Sequence, residues 1–83
     1  MKRLLSPNKV VGIKQTRNSV IDDRAKVVYL AEDTAPGMID EIVDICKKKS
    51  VELVFVSSRR ELARMCKVDV PCAAAAVLND NNN

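Results

Sequence analysis

The chain has no histidine and no tryptophan, and Tyr29 and Phe55 are its only aromatic residues. Without histidine it lacks the commonest general base and the commonest metal ligand. Two rings are too few for a platform that stacks successive unpaired bases. The three cysteines, Cys46, Cys66 and Cys72, form no CxxC pair, which argues against a zinc site. Their odd number argues against a disulfide framework, and free thiols in a reducing cytosol are the simplest reading. No cofactor and no metal are expected. The opening MKRLLSP is too short and too soon polar for a signal peptide, and no apolar run approaches a membrane span. The expectation is a cytoplasmic protein with no membrane contact.

What is present fits one small domain. The 83 residues are 47% hydrophobic, a globular rather than a disordered composition. Lys and Arg number 14 against 11 Asp and Glu, a formal charge of +3. That balance permits an anionic partner without demanding one. Residues 1–78 are expected to form the domain, and the tail 79–83, NDNNN, offers nothing to bury and should fray.

Three unbroken apolar runs read as strands covered on both faces: VVYLA (Val27–Ala31), LVFV (Leu53–Val56) and AAAAVL (Ala73–Leu78). Alanine is a poor strand former, so the last rests on context; close approach of a helix would favour small side chains there. A shorter strand is Val10–Gly12. Helix patterns lie between them. In GMIDEIVDICKKKS, Met38, Ile39, Ile42, Val43, Ile45 and Cys46 recur at three- and four-residue spacing, with acids near the start and lysines at the end. SRRELARMCK opens on Ser58 with Glu61 three residues on, a capping-box spacing. A shorter helix runs from about Lys14 to Asp22, with Val20 and Ile21 inward, and KRLLSPNK has room for one helical turn. Strands alternating with helices imply an α/β domain with helices on both faces of a mostly parallel or mixed sheet.

Three segments carry candidate chemistry. In VVGIKQTRN a glycine follows a strand and a helix begins just after it, so free N–H groups point outward where they favour phosphate. Lys14 and Arg17 add positive charge. Gln15 and Asn18 donate and accept at once, so they can read base edges. The GxxxxGK[ST] spacing of a phosphate loop is absent. A solvated helix start is the other reading of the same residues. In AEDTAPG, Glu32 and Asp33 follow a strand, where α/β sites gather. Asp33 could orient Lys14 or accept from a ligand; the alternative is that Thr34 or Asp33 caps the next helix. In KVDVPCAA, Val68 and Val70 flank Asp69 and could cover an extruded base or a partner surface, or pack down onto the core. Cys46 and Cys66 fall on apolar helix faces, leaving Cys72 as the thiol nearest a surface.

The motifs GIKQT, VVYLAED, KSVELVFVSSRRELARMC and VDVPCAAAAVL, in this order, resemble the kink-turn RNA-binding family of ribosomal proteins. That is the archaeal large-subunit seven-Ae type, which has eukaryotic ribosomal, box C/D and spliceosomal relatives and small bacterial homologues. The resemblance covers roughly Val10 to Leu78. It implies a three-layer α-β-α sandwich with a four-stranded mixed sheet. It also implies a non-enzymatic protein, a monomer when free, whose partner is structured RNA with a kink-turn, ribosomal RNA among the candidates. By that resemblance Gly12, Ile13, Lys14, Gln15, Arg17 and Asn18 enter the RNA groove at tandem sheared G·A pairs. Asp33 lies beside them, and Val68, Asp69 and Val70 cover a nearby unpaired nucleotide. A reader of this kind needs a distorted stem, since the major groove of regular A-form RNA is too narrow for side chains. The chain departs from the archaeal pattern at Lys14-Gln15, where that pattern has Asn-Glu, as the bacterial homologues also do. The family's lysine falls on Asn18, Arg17 holds a usual threonine position, and Ala35 replaces a helix-opening aspartate.

Overall fold

The structure, a computed structural model, describes residues 8–79. Its elements run β1 (Lys9–Val11), α1 (Ile13–Ile21), β2 (Ala25–Ala31), α2 (Pro36–Lys49), β3 (Glu52–Val56), α3 (Arg59–Cys66) and β4 (Ala74–Leu78). The sheet order is β1-β4-β2-β3. β4 is antiparallel to both β1 and β2, and β2 is parallel to β3. The expected α/β sandwich with a mixed sheet is what forms. The helical turn expected in KRLLSPNK lies outside the described residues except at Asn8 and Lys9, and Lys9 opens β1. Of the tail, only Asn79 is described; its N–H donates to the Arg24 carbonyl at 2.8 Å.

Strand alternation divides the core into two halves. Val28, Leu30, Ala74 and Ala76 share one face with Val20 of α1 and Ile39, Ile42 and Cys46 of α2. Ala31, Val56 and Ala75 turn the other way and pack with Leu62, Met65 and Cys66 of α3. The alanines of β4 are fully buried. Their small side chains let helices on both faces sit close to a strand that two neighbours pair from either side. That context overrides alanine's low strand propensity.

Several local expectations need correcting. β2 begins two residues before Val27, and the register is irregular between Ala25 and Val27, which leaves Lys26 exposed. Ile21 and Met38 are exposed rather than inward, because each sits a step around its helix from the residue that meets the sheet, Val20 and Ile39. Neither Thr34 nor Asp33 caps α2: Ala35 is its N-cap, without a side-chain hydrogen bond, and Pro36 opens the first turn. Cys72 is buried, not near the surface, and its Sγ donates to the Ala74 carbonyl at 3.1 Å. Burial pushes all three thiols up, Cys66 to about 11, and Cys72 beside it pushes the same way. Such thiols are inert packing groups.

Thr16, on the inner side of α1, is fully buried, and among the described residues its Oγ1 has no hydrogen-bond partner. An orphaned buried hydroxyl carries a desolvation cost that nothing offsets. Thr16→Val is therefore expected to raise stability by about 0.5–1 kcal/mol, measured by urea unfolding; a loss of stability would show that the hydroxyl has a partner after all.

Candidate nucleic-acid interface

The strand directions gather the three segments singled out in the sequence. β1, β2 and β3 all run the same way, each is followed directly by a helix, and β4 starts at the edge where they end. The N-termini of α1, α2 and α3 thus lie along one edge of the sheet, together with the segment leading into β4. Backbone bonds stitch that edge. Gly12 N–H donates to the Ala74 carbonyl at 2.8 Å, Ala31 N–H to Ala73 at 2.9 Å, and Cys72 N–H to Arg59 at 3.2 Å.

Within GIKQTRN the residues separate by face. Gly12 adopts φ 113°, ψ 153° and accepts the first helical bond, from Thr16 N–H at 2.9 Å. No side chain caps α1, so its first N–H groups face outward with the positive end of the helix dipole. Ile13 packs partly against the core. Lys14 and Gln15 are exposed on the first turn, and Lys14 is in no ion pair among the described residues. Arg17 is engaged: its Nε donates to Glu41 Oε2 of α2 at 2.9 Å, and its Nη1 to Asn18 Oδ1 at 3.4 Å. Asn18 is exposed.

Asp33 takes a role different from the one read in the sequence. Its Oδ1 accepts the Arg59 N–H at 2.9 Å and lies 3.5 Å from Arg59 Nε, so it serves the start of α3 and reaches Arg59 rather than Lys14. Ser58 adds the expected cap, its Oγ accepting from Glu61 N–H at 3.0 Å. The first and third N–H groups of α3 are thus answered by side-chain oxygens, whereas no side chain of the described residues caps α1. Asp33→Ala is expected to cost about 1 kcal/mol of stability. It should not weaken binding of an anion at α1, and titration beside urea unfolding separates the two effects.

The loop before β4 also divides. Val68 is half-buried against the α3 side of the core, while Val70 is 65% exposed and Asp69 faces solvent. Between this loop and α3 lies an open groove of about 550 Å³ whose lining includes Arg60, Arg64, Val68, Val70 and Pro71. The sequence reading singled out neither arginine. Their four-residue spacing is the signal that puts them on one side of α3. Among the described residues, no group of His, Cys, Asp and Glu is placed to hold a metal ion, and no helix is long and apolar enough to cross a membrane.

Comparison with known proteins bears on what this edge does. The family described as ribosomal protein L7Ae/L30e/S12e/Gadd45 matches residues 2–83. An RNA-binding protein of Caldanaerobacter subterraneus subsp. tengcongensis is 37% identical over 70 residues, covering 84% of this chain and 85% of that protein. One from Geobacillus sp. strain WCH70 is 35% identical over 77 residues, covering 93% and 94%. Among solved structures, a 15.5kD RNA binding protein of Giardia lamblia superimposes with a TM-score of 0.83 at 27% identity. That match covers 89% of this chain but 62% of that one, so the chain spans somewhat less than two thirds of its length.

Proposed function

The chain belongs to the ribosomal protein L7Ae/L30e/S12e/Gadd45 family, and from that premise we propose that it is a non-enzymatic, cytoplasmic RNA-binding protein. Its target is a kink-turn with tandem sheared G·A pairs, and its setting is the ribosome. The observation that carries the reading is the uncapped start of α1, with Lys14 and Gln15 exposed on it, tied through Gly12 to the edge where β4 begins. Two relatives bear the name RNA-binding protein, which supports the same partner class.

In this reading the N–H groups of α1 and Lys14 take phosphate oxygens, and Gln15 and Asn18 meet the edges of the sheared pairs. Gly12, having no side chain, lets the backbone come close, with Ile13 beside it. Val70 covers an unpaired nucleotide, with Val68 behind it and Asp69 at the rim. Asp33 contributes by fixing α3. The protein acts by binding the kinked form better than the extended one and so shifting the RNA's population.

The test is titration of labelled kink-turn RNA against a variant lacking the G·A pairs, at about 0.1–0.2 M salt, where charge-only binding is weak. Preference for the kink-turn is expected; equal affinity would remove the specific reading. The exposure of Val70 favours one other function, a protein-docking module on the same fold. Binding to a partner that survives ribonuclease would select it.

A further inference from the structure

Of the two cations near the start of α1, Lys14 stands open and Arg17 is held. The Arg17–Glu41 contact bridges α1 and α2 at 2.9 Å, with the arginine side chain 36% and the glutamate 63% exposed. The same guanidinium also donates to Asn18 Oδ1, at 3.4 Å. Glu41 had been read only as an acid near a helix start. The fold instead aims it at a residue of the reading surface.

We propose that Glu41 is a built-in competitor for RNA, a residue that limits affinity by occupying Arg17 until a phosphate displaces it. The inference rests on the RNA-binding reading of the α1 edge. A carboxylate and a phosphate offer a guanidinium the same pair of acceptor oxygens, so they compete for one site. The pair is solvent-exposed and therefore weak, so displacement is feasible. Every RNA that recruits Arg17 has to displace Glu41. That competition costs each such RNA the same free energy, whether or not it also offers sheared pairs to Gln15. Glu41 thus lowers affinity for bent and straight stems alike and leaves the preference between them to Gln15.

The experiment uses the full 83-residue chain, with Glu41→Gln, Arg17→Gln and the double variant. The probes are a labelled kink-turn RNA and a fully paired duplex of equal length, each titrated from low to moderate salt. Glu41→Gln should tighten both complexes about two- to fivefold, the free energy of one exposed ion pair. The slope of log affinity against log salt should change little, since Arg17 meets the same phosphate in both proteins once Glu41 is displaced. The gain should be absent in the Arg17→Gln background. An equal gain in that background would show a diffuse charge effect and overturn the proposal, as would no gain in the parent background. Glu41→Ala repeats the test without any hydrogen bond to Arg17. A parent protein that binds both RNAs alike removes the kink-turn reading, while the competition is still decided on the duplex; a parent that binds neither overturns both.

Discussion

Gln15→Ala is expected to weaken binding of a kink-turn RNA by about 1–3 kcal/mol, with tenfold in affinity for every ~1.4 kcal/mol. Gln15 sits exposed on the first turn of an uncapped helix. Its amide supplies a donor and an acceptor, which a base edge can engage together. Because it contributes nothing to the core, the variant should fold with the parent's stability. The loss should appear only on RNA that contains the G·A pairs. Lys14→Ala gives the contrasting pattern: a point charge carries no base information, so both RNAs should weaken and the salt slope should flatten. Equal loss on both RNAs for Gln15→Ala would reassign the glutamine to phosphate contact.

The second large effect is on stability. Gly12→Ala is expected to cost about 1–3 kcal/mol, because φ 113° with ψ 153° is a conformation that residues with a Cβ rarely occupy. Among the described residues beyond its chain neighbours, no heavy atom lies within 4 Å of where that Cβ would go, so the cost is backbone strain and not crowding. The strain can be relieved only by giving up the 2.8 Å bond to Ala74 or by turning α1 away from the sheet edge, so RNA affinity should fall with stability. D-alanine at the same position, introduced by chemical ligation, favours positive φ and should retain most of the parent's stability. Unfolding in urea compares the three proteins. If D- and L-alanine cost the same, the glycine matters for something other than its φ.

The layering was readable because unbroken apolar runs alternate with segments whose apolar residues recur every three or four positions, and because charges bracket α2. Edges were less readable where propensity and pairing disagree. Ala25 and Lys26 belong to β2 because Leu78 pairs there, a contact more than fifty residues away that local pattern does not contain. The open start of α1 was legible at Gly12, Lys14 and Gln15, where a glycine, a helix start and exposed polar side chains coincide. The partners of Asp33, Arg17 and Glu41 were not legible for one reason: each is paired with a residue on a helix distant in sequence. A carboxylate beside a strand end looks the same in sequence whether it faces a ligand or, as here, caps α3 from 26 residues away. The burial of Cys72 was hidden similarly, since it depends on α3 folding back over the segment before β4.

The central strand β4 is also the last to be made. β1 has no other partner in the sheet order, and Gly12 is fixed by Ala74. During synthesis, β2, α2 and β3 can assemble as a unit of near neighbours, but β1 and the start of α1 wait for residues 74–78. Joining them closes a loop of more than sixty residues, the slow kind of contact. The surface assigned to RNA is therefore completed only after nearly the whole domain has emerged from the ribosome. A nascent chain would not hold its ligand, and a truncation just short of β4 should lose binding and cooperative unfolding together.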